Sequence, residues 1–237
     1  MFKMQGFNLL SSKSNLRFMF RQMAKIKGYG CRMRILDLFA GTGSATKAFE
    51  DAGHEVIKVE LDESFDAHER DILDLTPEYL LEKYGNFDFI WASPPCTTFS
   101  VASIPYYWPN GEPTEKALKG MELVEHTIEL IRLLKPRLGW LIENPRGMLR
   151  KQSFMLDLPR ETITYCQYGF DRMKPTDLWG YVPNWKPKPM CKPKDKCHIS
   201  APKGSTTGTQ GMSDKKKKSM IPPELGIEIL KALTNGE

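Results

Sequence analysis

Apolar residues fall in short, nearly unbroken runs, and these set the reading of the whole chain. Ile35-Leu-Asp-Leu-Phe39, Val56-Ile-Lys-Val-Glu60, Phe87-Asp-Phe-Ile-Trp91 and Leu138-Gly-Trp-Leu-Ile142 are mostly apolar and too short for helices. Runs of this kind read as strands buried on both faces, as in a parallel sheet. Between them the pattern turns helical. Ser44 to Asp51 reads as a helix closed by Gly53. Thr76 reads as an N-cap with Pro77 at the first helical position. Thr114 to Leu134 reads as a long helix with apolar positions at Leu118, Met121, Val124, Ile128, Ile131 and Leu134, ended by Pro136. Further strands are predicted at Glu161 to Cys166 and Asp177 to Val182, and a closing helix over Pro222 to Leu233. Strands alternating with helices imply the α/β class.

The strand ends carry the candidate chemistry. The run ending at Trp91 stops in Ser93-Pro-Pro-Cys96. Two prolines force a turn at the carboxyl end of a strand, the edge at which open α/β sheets bind ligands. Cys96 is placed there like a nucleophile, although this stretch alone leaves a structural cysteine in a proline turn equally open. The run at 138–142 ends in Glu143-Asn144-Pro145, which brings a candidate acid to the same edge. The first strand leads into Gly41-Thr-Gly43, a tight turn that lets a ligand approach. Thr46 stands where a dinucleotide fingerprint needs its third glycine, and Thr46-Lys-Ala48 replaces the Gly-Lys-Ser/Thr of a phosphate loop. Glu60 follows the first glycine at a spacing suited to binding ribose hydroxyls, with Asp62 a close competitor. The loop over 97–113 is rich in aromatics and proline; Tyr106, Tyr107 and Trp108 could stack on a base or pack the loop onto the body. His126 reads as a helix-face residue.

Charge changes the picture more than length does. The 237 residues suit one domain, or one plus a small lobe, and no apolar run is long enough to span a membrane. The net charge of +5 is unevenly spread: residues 1–34 hold eight Lys and Arg and no acid, and residues 175–218 hold ten lysines against three aspartates. An acidic body with two basic wings suits a polyanionic partner, nucleic acid first, beside the plainer reading of soluble lysine-rich tails. Residues 1–33 form a basic extension readable as a transit peptide, a phosphate-touching arm or a leader before a later start, and lie outside the fold argument. The five cysteines make no disulfide framework, so a reducing cytosol is expected. Residues 183–218 lack hydrophobic periodicity and read as an irregular basic lobe. No metal site is expected there: Cys191-x5-Cys197-His198 does not match the usual zinc pairs, and Cys166 would complete a set only by coincidence.

The order of the motifs is more informative than any one of them. Asp37-Leu-Phe-Ala-Gly-Thr-Gly43 resembles the first motif of S-adenosylmethionine-dependent methyltransferases. That motif, then Glu60, Asp71-Ile72, Pro94-Pro-Cys96, Glu143-Asn144-Pro145, Gln167-Tyr-Gly169 and Ile221-Pro-Pro223, resembles the cytosine-C5 DNA methyltransferase family, compact phage-encoded members most of all. The resemblance covers 34–182 and 219–234. It implies a Rossmann-like methyltransferase fold: a catalytic domain at 34–182, a short target-recognition-like lobe at 183–218 and a closing helix in 219–237. It implies S-adenosyl-L-methionine as cofactor, held by Asp37, Phe39, Gly41, Gly43, Glu60, Asp71, Ile72 and Pro94, with Asp71 on the adenine amino group. It implies Cys96 as nucleophile, Glu143 and Asn144 at the target base, and Arg172, with Lys174 the alternative, as the cation beside it. It implies DNA as substrate, with base flipping, in a monomer of a bacterial or phage-infected cytoplasm, serving restriction–modification or a related role. RNA as substrate and an inactive nucleic-acid-binding homologue are the alternatives. The chain departs from the family pattern at Thr97, at Leu61, at Pro145, in a missing Gln-x-Arg-x-Arg motif and in the short recognition lobe.

Overall fold

The computed structural model describes residues 32–200, 209 and 212–234. The readings of residues 1–31 lie outside these. Six strands form one sheet: β1 (Arg34–Leu38), β2 (Glu55–Val59), β3 (Phe89–Ala92), β4 (Gly139–Pro145), β5 (Arg160–Thr164) and β6 (Pro175–Tyr181), in the order β2-β1-β3-β4-β6-β5. The first four in that order run parallel, and β6 lies antiparallel between β4 and β5. The sheet is thus mostly parallel, as the strand patterns predict. β2 and β3 pair with opposite edges of β1, and that reversal of winding opens a crevice at the carboxyl ends of the strands.

Alternation along the strands builds two apolar layers. Leu36, Leu38, Ile90, Ala92 and Ile142 face α2 (Pro77–Tyr84) and α3 (Glu115–Leu134). Ile35, Phe89, Trp91 and Leu141 face Phe49 of α1 (Lys47–Asp51) and Leu225, Ile229 and Leu233 of α4 (Pro223–Thr234). Helices therefore cover both faces. Thr76 and Thr114 accept hydrogen bonds from Tyr79 N and Ala117 N and cap α2 and α3.

Several elements differ from the sequence reading for identifiable reasons. The helix expected from Ser44 begins at Lys47, because Thr46 Oγ1 donates to Asp37 Oδ2 at 2.5 Å and the preceding residues form the ligand turn. The buried stripe of α3 runs through Ala117, Val124, Thr127, Leu130, Ile131 and Leu134, which leaves Leu118 half exposed. Glu143, Asn144 and Pro145 belong to β4 itself, since β6 pairs with them as Leu178, Asp177 and Thr176. Single helical turns at Cys96–Thr98, Val101–Ser103, Ile104–Tyr107 and Pro109–Gly111 organise the loop over 97–113. In it Trp108 packs inward and donates from Nε1 to Thr98 O at 2.7 Å, whereas Tyr106 is exposed.

Candidate active site

The carboxyl ends of β1, β2, β3 and β4 surround a cavity of about 1110 Å³. At its β1 end the backbone turns through left-handed conformations at Phe39, Gly41 and Gly43. Glycine takes these without strain at two of the three positions. The turn is tied to β2 by Gly41 N, which donates to Glu60 Oε2 at 2.7 Å; Glu60 Oε1 accepts from Asp62 N at 3.0 Å. Asp37 is buried under the turn. One carboxylate oxygen is held by Thr46, while Oδ1 has no hydrogen-bond partner among the described residues. Burial is the main reason its pKa rises to about 7. Across the cavity, Asp71 Oδ1 accepts from Leu73 N and caps the turn Ile72–Asp74. His126 Nε2 lies 2.9 Å from Ile72 O and steadies that turn from α3.

The β3 end carries Cys96. Pro94 and Pro95 stop the strand, and Cys96 opens a 3-10 turn in which its carbonyl accepts from Phe99 N and Ser100 N. Behind the turn, Asn144 is fully buried, and its Nδ2 donates to Pro94 O at 2.9 Å. Residues 147 and 148 press against the same loop: Met148 N donates to Phe99 O at 2.7 Å, and a Cβ on Gly147 would stand 2.0 Å from that carbonyl. Glu143 lines the cavity from β4, largely buried, and Tyr165 donates its hydroxyl to Glu143 Oε1 at 2.7 Å. The Tyr165 hydroxyl is pushed well above its ordinary pKa, first by burial and then by the Glu143 charge. The Cys96 thiol is also pushed up by burial; Lys174 opposes that shift and Glu143 adds to it.

Of the residues singled out from sequence, Asp37, Phe39, Gly41, Glu60, Asp71, Ile72, Pro94, Cys96 and Glu143 line this one cavity. Gly43 shapes its turn from behind, and Asn144 braces the Cys96 loop. Arg172 departs from expectation. Its Nη1 donates to Ile199 O and Ser200 O at 3.3 and 3.2 Å, so the guanidinium is directed to the basic lobe and does not line the cavity. Lys174 lines it instead, with Nζ 4.7 Å from the Tyr165 ring centre and donating to Lys218 O at 3.1 Å. Arg146 also lines the cavity and was not singled out. Where no metal set is expected from spacing, Cys166, Cys191, Cys197 and His198 nevertheless place one donor atom each within 4.8 Å of one another. Cys166 comes from the turn after β5, a closure that local spacing cannot reveal.

A Rossmann-like α/β sheet with a glycine turn, acids at Glu60 and Asp71 after β2, and an apolar cavity at its carboxyl edge defines an S-adenosylmethionine-dependent methyltransferase. Residues 33–156 match the family model of C-5 cytosine-specific DNA methylases. The chain is 30% identical over 221 residues to a Frog virus 3 (isolate Goorha) protein named "Probable DNA (cytosine-5)-methyltransferase", covering 84% of this chain and 99% of that one. The chain belongs to the C-5 cytosine-specific DNA methylase family. Its enzyme class is DNA (cytosine-5-)-methyltransferase and its cofactor S-adenosyl-L-methionine. Among solved structures, the S. pombe Dnmt2 methyltransferase is 14% identical with a TM-score of 0.43, over 67% of this chain and 51% of that one. The N-terminal domain of human METTL16 in complex with SAH is 16% identical with a TM-score of 0.40, over 72% of each chain. The cavity suits the cofactor: Asp37 Oδ1 is a buried acceptor without a donor, and Phe39 and Ile72 offer apolar surface. Among the described residues no helix is long and apolar enough to cross a membrane.

Proposed function

We propose that the protein methylates C5 of a cytosine flipped out of DNA, through a covalent bond between Cys96 Sγ and C6 of the ring. The observation that carries this reading is that Cys96 and Glu143, 47 positions apart in the chain, enter the same cavity as the glycine turn and Glu60. Cytosine C5 is a poor nucleophile until a thiolate adds at C6, so covalent catalysis is required. S-adenosyl-L-methionine supplies the methyl group that C5 then accepts. Glu60 and Asp71 would hold the ribose hydroxyls and the adenine amino group, Phe39 and Ile72 would offer the adenine apolar surface, and Asp37 would meet the ammonium. The Glu143 carboxyl shares a proton with ring N3 and draws off the charge that addition creates. Loss of the C5 proton and elimination of Cys96 close the cycle.

The electrostatics support a thiol that activates on substrate binding. Burial and the Glu143 charge hold Cys96 in its thiol form in the free enzyme, with Lys174 the opposing cation. As Cys96 adds to C6, the proton that the thiol gives up is taken up between Glu143 and N3 of cytosine, so the Glu143 charge is offset as the thiolate forms. A stacked base cannot reach Cys96 at the floor of a cavity, so the target leaves the duplex at a cost of about a few kcal/mol. Exposed Lys192, Lys194, Lys196, Lys216 and Lys217 are cations that would meet phosphates, and such contacts position a duplex without reading its sequence.

The test is trapping on DNA containing 5-fluorocytosine in the presence of cofactor. The wild-type chain should form a denaturant-stable adduct, because fluorine at C5 cannot leave as the proton does. Cys96→Ser should form none while binding cofactor as before. Turnover retained by Cys96→Ser would end the proposal. Methyl transfer from labelled cofactor, compared on DNA and on tRNA, separates the two substrate classes.

A further inference from the structure

We propose that Cys166, Cys191, Cys197 and His198 form a structural zinc site that pins the basic segment 186–200 to the connection between β5 and β6. The four donor atoms already lie within 4.8 Å of one another. Sγ of Cys166 lies 3.1 Å from Sγ of Cys191 and 3.7 Å from Sγ of Cys197. His198 Nδ1 lies 3.7 Å from Cys191 Sγ and 3.4 Å from Cys197 Sγ. Zinc bonds of about 2.3 Å to sulfur and 2.0–2.1 Å to nitrogen require corner separations of roughly 3.8 Å between sulfurs and 3.5 Å between sulfur and nitrogen. A disulfide between Cys166 and Cys191 would need a separation of about 2.05 Å and would leave Cys197 and His198 without a role.

The packing supplies an independent reason. From residue 186 to residue 200 only Cys191 is buried, and the segment has no helix or strand. Among the described residues the apolar cluster beneath it consists of Cys166, Met173 and Cys191. So small a core cannot by itself offset the entropy of ordering fifteen residues, which is the circumstance in which small lobes use a metal. Four side-chain donors from two chain segments close a loop across the lobe, and metal binding becomes folding energy for the segment. The charge balance is consistent: one Zn2+ displaces the protons of three thiols, and neutral His198 completes a site of net charge −1. The same segment carries five lysines, at 186, 188, 192, 194 and 196. Arg172, whose guanidinium binds Ile199 O and Ser200 O, and Ile199 N, which donates to Asp171 O at 2.8 Å, fasten the end of the metal loop to the body.

The test uses the full chain purified without chelator from zinc-supplemented medium. The expected result is one zinc per chain by elemental analysis. Exchange into Co2+ should give the ligand-field absorption of a tetrahedral site and a thiolate charge-transfer band. Cys197→Ser and His198→Ala change exposed or half-buried ligands and should lower Co2+ affinity by at least about tenfold. Their circular dichroism and cofactor binding should match wild type. Chelation should speed trypsin cleavage after Lys194 and Lys196, whose following residues are not proline. A metal-free chain that takes up no Co2+, or a chain lighter by two hydrogens with Cys166 and Cys191 joined, would overturn the proposal. Trapping at Cys96 reads the catalytic proposal separately, so either can fail alone.

Discussion

Asn144→Ala isolates what holds Cys96 in position. The turn before Cys96 contains two successive prolines, so neither residue can donate a backbone hydrogen bond. Ser93 N is bonded to Leu38 O at 3.0 Å, and beyond it Asn144 Nδ2 to Pro94 O is the tie from β4. Truncation leaves the Pro94 carbonyl without that donor, a loss of about 1–3 kcal/mol at a buried site. An opposing effect is visible. Asn144 Oδ1 is buried and has no partner among the described residues, and its removal relieves part of an existing desolvation cost. The net destabilisation should therefore lie low in that range, about 1–2 kcal/mol, or roughly 2–8 °C in melting temperature for a chain of this size. The catalytic loss should be larger than the stability loss suggests. A misplacement of about 1 Å at a reacting group can cost on the order of 100-fold, so we expect kcat to fall about 10- to 100-fold. Cofactor affinity should not move, because Asn144 does not line the cavity. Asn144→Asp keeps the volume but opposes oxygen to oxygen unless the acid carries a proton, so its deficit in melting temperature should narrow as pH falls. Methyl transfer under saturating cofactor, cofactor titration and thermal melting read the three effects. Unchanged kcat in Asn144→Ala, or a loss confined to cofactor affinity, would refute the bracing role.

Other outcomes follow from the same geometry. Asp37 titrates near 7 in the fold against an ordinary value near 3.8, because burial disfavours its charge. Its contribution to stability is thus fully present below the ordinary value and lost as pH rises through about 7. Cofactor-free wild type should lose melting temperature over that interval, Asp37→Asn should show a flatter profile with weakened cofactor binding, and matching profiles would refute the assignment. Lys174→Met should move the pH midpoint of Cys96 alkylation upward, because the lysine opposes the burial-driven rise of that thiol. Arg172→Met should leave the midpoint in place; the reverse pattern would restore Arg172 as the cation of the site.

The parts legible in the sequence share a physical cause. Strands buried on both faces must be continuously apolar, so β1, β3 and β4 announce themselves, and the residue that ends each one lands at a known edge. That is why Cys96 and Glu143 could be expected at one edge from the strand pattern, whereas Asp37, inside β1, entered only through the resemblance. Side-chain direction in irregular backbone carries no such periodic signal. Arg172 and Lys174 lie two apart beyond the turn at Tyr165–Tyr168, and only the packed lobe decides that Lys174 lines the cavity while Arg172 binds carbonyls at 199 and 200. The thiol cluster was hidden for a related reason: Cys166 sits 25 residues before Cys191, and no local spacing rule spans that closure.

The antiparallel strand β6 joins these two parts. By pairing with Glu143, Asn144 and Pro145 it extends β4 past the point where a parallel neighbour would have left it. That extension gives Glu143 a rigid backbone and sets Asn144 behind the proline turn. β6 also pairs with β5, which leads directly into Tyr165, the hydroxyl donor to Glu143, and into Cys166, the body's ligand in the thiol cluster. The hydroxyl donor to Glu143 and the sulfur that anchors the basic lobe are therefore adjacent in the chain. A lobe shifted by phosphate contacts would act on Tyr165 through one peptide bond. Under the proposed function, a short lobe fastened beside Tyr165 would influence the pocket that Glu143 lines.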